Sequence, residues 1–463
     1  MTRIVQVLTV PGAGAGWYED AAALQAQRLS PGERFTAPPV TPGFRAAREV
    51  AEALSVGLVL DDGRVAWGDC VAGAAGSAPG GAGLFRADGG RSTIEQVVAP
   101  VLEGETLDSF RELAATIDLL EEAVEVVRPA SPASSPVLSS PKELSRRDLL
   151  TAPGRLLQAA RGEPDHAEPV TIRRRLHPAV RYGLSQALLR AVAMDRGVTM
   201  AEVIASEWDL PRPDAVIAIH ARSGGGRCYE VERMMARRVA SLPHDLPGGN
   251  PDSVGLDGSG LTRYIRWLKE RSQVLGGQDY QPAIHMDVQG TLGRIYDNQL
   301  GRMLGQLYAW ELAAGPCLLR IENPVIMEGR DEQVETLRAL REYVDLRKMK
   351  VQLVAGAWTN TLEDIRAFVD GRAAHMVQIK MPALGSMHNT VEAVLACKAI
   401  GLGACLGGSR GETDVSARAS AHVALATRPD LLMAKPGGGV DEAISLVQNE
   451  MARCLAQIEL RAG

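Results

Sequence analysis

From Pro282 to Lys380 the chain repeats one pattern: a short apolar run that ends in a few polar residues, then a stretch with helix-like spacing. The runs are PAIHMDVQGT, CLLRIENPV, VQLVAGAW and HMVQIKMP. Runs of this length between helical segments read as consecutive strands of a parallel β/α array. In such arrays the residues at the carboxyl ends of the strands carry the chemistry. Asp287, Glu322 and Lys380 stand at three of those ends, whereas the third run ends in Gly356 and Ala357.

The same alternation extends to about eight β/α units between residues 214 and 450, enough to close a (β/α)8 barrel. Ala215–Ile219 leads as a strand into His220, further strands are expected at Gly403–Leu406 and Leu431–Ala434, and the last helix over Glu442–Arg461. Toward the amino terminus, 3–10 and 54–60 read as strands. Asp61-Asp62-Gly63 then turns the chain into a hairpin partner at Val65–Cys70. Helical spacing follows from Thr93 to Val127. Residues 128–144, RPASPASSPVLSSPKEL, are too rich in proline and serine to build a core, and a short helix is expected around Asp148–Arg161. The predicted class is α/β: an α+β capping domain at 1–127, a Pro/Ser-rich insertion or linker at 128–172, and a barrel domain with a carboxyl-terminal helix at 173–463.

Composition narrows the function. A net charge of −6 and 4% aromatic residues leave neither a basic footprint nor stacking surfaces for nucleic acid. The basic run Arg173-Arg174-Arg175 reads as a solvated turn. GAGAG at 12–16 lacks the Lys-Ser/Thr of a phosphate loop. The opening MTRIVQVLTV has no basic leader and no small-residue cleavage site, no apolar stretch reaches membrane-spanning length, and the six cysteines are scattered. These features lead us to expect a cytoplasmic protein with no membrane partner.

The motifs LRIENP, HMVQIKMPALG and AKPGGGVDE, with LSVGLVLDDGRVAWGDC, HPAVRYGLSQALL, TMAEVI and LPH in the same order, resemble the methylaspartate ammonia-lyase family of the enolase superfamily. The resemblance covers most of the chain outside about 125–172. It implies a capping domain over a barrel, Mg2+ held by three strand-end carboxylates, a lysine base, a small amino-acid or dicarboxylate substrate and a homodimer. Carried over by position, Asp287 and Glu322 match two metal ligands and Lys380 the base. His244 matches the group on the opposite face, Gln378 lines the same site, and Ser409 falls where the family has a substrate-binding Thr. The departures are specific. The family's VADEW is here VAGAW, so Gly356 removes the third metal ligand. Arg222 replaces a substrate-contacting Gln, Arg410 a Cys, and Ala74 a Gln.

The chemistry implied is removal of a proton beside a carboxylate, followed by loss of ammonia. The carbon acid is weak, so positive charge must stabilise the enolate-like intermediate while a base takes the proton. With Gly356 in place of a ligand, Mg2+ is weakened or replaced, and Arg222 and Arg410 are candidates to bind a substrate carboxylate or the enolate. His285 reads as a core or second-row group, and Cys405 and Met376 as packing. Two other readings remain open: an enolase-superfamily enzyme of different reaction on a more anionic substrate, and a non-catalytic homologue that serves as a binding protein.

Overall fold

The amino-terminal strands pair as the turn chemistry dictates. β1 (Ile4–Glu19), β2 (Arg48–Leu60) and β3 (Val65–Val71) form an antiparallel sheet in that order. Gly63, at φ +84°, completes the turn between β2 and β3. The computed structural model describes residues 2–27, 29–30, 32–73, 81–127, 169–223, 228–247, 251–408, 411–434 and 439–462. β1 outruns the 3–10 stretch, and Gly14 within it makes a close approach. A Cβ at Gly14 would lie 2.9 Å from the Gly411 carbonyl oxygen and 3.2 Å from Ala51 Cβ.

Helical structure after this sheet ends at Leu119, not at Val127. Residues EEAVEVV have period-two spacing with β-branched valines, and they form β4 (Glu121–Val127), antiparallel to β5 (Pro169–Arg175). This hairpin, Glu121–Arg175, is a compact unit of its own. The Arg173–Arg175 run is therefore strand and not turn. Its register sets Glu121 opposite Arg175 and Glu122 opposite Arg174, with an Arg174–Glu122 ion pair at 2.9 Å. The Pro/Ser-rich segment at 128–144 and the helix expected around Asp148–Arg161 lie outside the described residues.

In the larger unit, eight parallel strands close into a barrel: β6 (Ile219–His220), β7 (Ser241–His244), β8 (Ala283–Asp287), β9 (Leu319–Glu322), β10 (Gln352–Ala355), β11 (Met376–Lys380), β12 (Gly403–Gly407) and β13 (Leu431–Met433). The four runs that dominate the sequence are β8 to β11. β6 is shorter than the 215–219 run. A parallel barrel strand is buried on both faces, and Val216 is 58% exposed, so the run joins the sheet only at its end. Inside the barrel Val354, Met376, Cys405 and Leu431 pack as one buried cluster, as expected for Met376 and Cys405. All six cysteines are free thiols. No helix among the described residues is long and apolar enough to cross a membrane.

The helix Pro178–Arg196 joins sheet and barrel. It is capped by His177 and ends at Gly197 in the left-handed region. Its contact with β3 is glycine on backbone: a Cβ on Gly68 would meet the Gly183 carbonyl oxygen at 2.1 Å, and one on Gly183 would meet the Cys70 nitrogen at 2.5 Å. Gln186 from this helix accepts from the Asp69 N–H and donates to its carbonyl. The Asp69 carboxylate accepts from Ser55 and from Thr413, the cap of the barrel helix Asp414–Thr427. Gly68→Ala should force the sheet off the helix and cost about 2–4 kcal/mol, the upper range for overpacking. Denaturant unfolding of the variant would measure the loss.

Candidate active site

Polar side chains that close β7, β8, β9 and β11 reach the same rim, because parallel strands share one carboxyl end. Asp287 closes β8, Glu322 β9 and Lys380 β11, and the register aligns Asp287 with Glu322. The chain leaves these strands in unusual conformations. His244, Gln289, Asn323 and Trp358 have φ values of +64°, +52°, +49° and +59°. Left-handed backbone at non-glycine residues is costly and gathers where side chains must be aimed.

Asn323, which the sequence pattern did not single out, ties three rims together. Its Nδ2 donates to Asp287 Oδ1 at 3.0 Å, and its Oδ1 accepts from the Gly356 and Ala357 N–H groups at 2.9 and 2.6 Å. Lys380 Nζ donates to the Gly356 carbonyl at 2.6 Å, and Thr359 donates to the same oxygen at 2.9 Å. Gln378 is 2% exposed, and its Oε1 has no partner among the described residues. A buried amide oxygen left this way costs on the order of 1–3 kcal/mol, a sign of a group kept for a ligand.

Glu322 is 1% exposed, and its Oε2 lies 3.1 Å from His285 Nε2. A Cβ built on Gly356 would fall 2.1 Å from Glu322 Oε1. The Glu322 carboxylate thus fills the volume in which a side chain at 356 would begin. An octahedral all-oxygen cage for Mg2+ draws on carboxylates converging on one point. Among the described residues no third carboxylate joins Asp287 and Glu322 at Gly356, Glu322 is turned to an imidazole, and Asp287 Oδ1 is held by Asn323 and the Gln289 N–H. The residues present do not fit a three-carboxylate Mg2+ site.

Arg222 lies in the buried mouth, but its guanidinium is not open. It binds Asp245 through Nε at 3.0 Å to both oxygens and through Nη2 at 2.8 Å. The expectation of a guanidinium free for substrate gives way to a paired one. The signal for that pair was the Asp beside His244, in PHDL, which sequence reading passed over. Ser409 and Arg410 lie outside the described residues, as does Ala74. His244, on β7, stands four strands from Lys380 on β11, across the closed ring. It is also one of three buried imidazoles, with His220 and His285, whose ligand atoms lie within 4.8 Å of one another.

The electrostatics follow from burial. Asp287 is pushed up to about 7 by loss of water and then by the Glu322 charge. Glu322 is also pushed up to about 7 by burial, against the opposing pull of Lys380 and then Arg222. Burial drives His220 well below the ordinary imidazole value. Burial and then Arg320 push His285 down to about 3.

Two family profiles match this chain: one described as methylaspartate ammonia-lyase N-terminus, over residues 2–131 and 153–209, and one as methylaspartate ammonia-lyase C-terminus, over 213–460. Methylaspartate ammonia-lyase 2 of Carboxydothermus hydrogenoformans is 39% identical over 461 residues, spanning 100% of both chains. The crystal structure of β-methylaspartase from Clostridium tetanomorphum, a Mg complex, is 35% identical with a TM-score of 0.82, covering 99% of this chain and 100% of that one. The Citrobacter amalonaticus methylaspartate ammonia lyase containing (2S,3S)-3-methylaspartic acid is 34% identical with a TM-score of 0.84, over 99% and 100% of the two chains. The L-Ala-D/L-Glu epimerase of Bacillus subtilis, at 13% identity and a TM-score of 0.58, shares the fold.

Because folding raises the pKa of Asp287 above its ordinary value, the native state holds an extra proton between about pH 4 and pH 7. That contribution to stability is complete below the ordinary carboxylate range and is lost as pH rises through 7. Asp287→Asn keeps an oxygen for Gln289 and Asn323 but carries no charge. In metal-free buffer it should be more stable than the parent by about 1–2 kcal/mol at pH 8 and indistinguishable at pH 4. Urea midpoints at the two pH values decide this.

Proposed function

The chain belongs to the methylaspartate ammonia-lyase family, and from that premise we propose that it eliminates ammonia from a 3-methylaspartate-like amino acid and catalyses the reverse addition. The observation that carries this reading is the pair of proton-handling side chains, Lys380 on β11 and His244 on β7, on opposite walls of one barrel mouth. A substrate between them presents the hydrogen on C3 to one wall or the other according to its epimer.

In the forward direction Lys380 takes the C3 proton as general base. The C3–H electrons become the C2–C3 double bond as the C2–N bond breaks. The products are ammonia and the unsaturated diacid mesaconate. The Gly356 carbonyl holds the Lys380 amine in place at the rim, and Gln378 offers its unpartnered amide oxygen to the substrate. Ser409 and Arg410 complete the proposed substrate contacts. His244 is the corresponding proton acceptor for the other C3 epimer.

The bidentate Arg222–Asp245 pair bears on the choice of substrate. An open arginine would favour a more anionic substrate, but this guanidinium already faces a carboxylate, so the pocket gains little net charge at that position. We therefore keep the substrate within the small amino dicarboxylates. Arg222 also lies close enough to draw down Glu322 and so supplies positive charge beside that carboxylate. A homodimer in the cytoplasm is part of the same reading and rests on family membership.

On incubation with (2S,3S)-3-methylaspartate, ultraviolet absorbance of the unsaturated diacid and free ammonia should rise in equal amounts. Lys380→Ala should lower kcat/KM by about 10²–10⁴-fold, the range for a lost general base. Absence of product in both directions, with and without divalent ions, would sink the reading. Gln378→Leu should lower kcat/KM by about 10-fold or more by removing a buried contact to the substrate, with the melting temperature unchanged or raised.

A further inference from the structure

We propose that His220, His244, His285 and Glu322 form a binding site for a nitrogen-preferring divalent transition ion of the Zn2+ class, in place of the all-carboxylate Mg2+ site. Four neighbouring strands contribute one ligand each: His220 on β6, His244 on β7, His285 on β8 and Glu322 on β9. His220 Nε2 lies 3.2 Å from His244 Nδ1, and His244 Nδ1 lies 3.9 Å from Glu322 Oε2. Glu322 Oε2 lies in turn 3.1 Å from His285 Nε2. A tetrahedral ion with bonds of about 2.0–2.1 Å separates its ligand atoms by roughly 3.3 Å. Two of these separations match that spacing, and the three imidazole ligand atoms lie within 4.8 Å of one another. The His220 and His285 rings are stacked, with centroids 4.3 Å apart and planes 17° apart, and a common ion requires the two planes to tilt toward one point.

His220 and His285 are both 0% exposed, so an ion held by their rings would be shielded from water. The donor set also selects the ion. Imidazole suits Zn2+ and its neighbours in the transition series, whereas Mg2+ calls for oxygen. Gly356, just after β10, offers no side-chain oxygen, while His220 on β6 offers a ring nitrogen.

The consequence for chemistry rests on the lyase reading above. A His244 whose Nδ1 lone pair is engaged is no longer a proton acceptor there, so the loaded protein works from the Lys380 wall alone.

The test is metal binding itself. Metal-stripped full-length protein titrated with Co2+ should take up one ion per chain and develop the visible d–d absorption of a nitrogen-ligated tetrahedral ion. Zinc-edge X-ray absorption fine structure of the Zn2+-loaded protein should show imidazole scattering from three rings. His220→Phe and His220→Gln should each weaken Co2+ or Zn2+ binding by about tenfold or more, the scale for a disturbed metal site. Asp287→Asn should leave it within about twofold, and circular dichroism confirms that each variant is folded. An all-oxygen shell in the parent protein, an absence of uptake, or binding abolished by Asp287→Asn and unaffected by His220→Phe would each overturn the proposal. Ammonia release from the same preparations is scored separately, so a failure of the lyase reading leaves the binding result intact.

Discussion

The carboxylate of Glu322 is the group on which the rest of the site depends. It is almost fully buried, and an ionised carboxylate away from water must be paired, hydrogen-bonded or protonated. A carboxylate on β10 would share an ion with it, but Gly356 offers none. Glu322 instead occupies the space beside Gly356, bonds to His285, and is balanced at longer range by Lys380 and Arg222. The His285 imidazole, Lys380 and Arg222 all stand where they act on that one carboxylate.

The surrounding fold holds this arrangement still. The glycine contact between Gly68 and Gly183 lets the cap sheet and the helix Pro178–Arg196 meet at backbone distance. From that contact, Asp69 reaches across to Thr413 at the start of a barrel helix. Buried polar ties of this kind set a register that apolar packing alone leaves loose. At the rim, Asn323 does the equivalent for β8, β9 and β10, in a left-handed conformation that aims its amide at both neighbours. A site that must position a proton acceptor within a fraction of an ångström needs such second-row support.

The charges at the mouth largely balance one another. Glycine at 356 brings no charge, and Asp245 neutralises most of what Arg222 brings. Beside the Glu322 oxygens stand the ring nitrogens of His220, His244 and His285.

Much of this was legible in the chain itself. Strand length, helical spacing and the Asp-Gly turn are local properties, so the barrel, its hairpin partner and the rim positions of Asp287, Glu322 and Lys380 could be read from residue order. The strand at Glu121–Val127 was misread as helix because alternation over a short run competes with helical spacing just upstream. Residue order also shows glycine at 356, where the family resemblance implies a carboxylate. Only the tertiary structure could decide what fills the gap. His220, His244 and His285 lie 24 and 41 residues apart along the chain. Closure of the barrel sets them side by side on adjacent strands, and the same closure hands the Arg222 guanidinium to Asp245. Periodicity reports which face of an element a residue occupies; it carries no information about which distant residue the folded chain will place opposite.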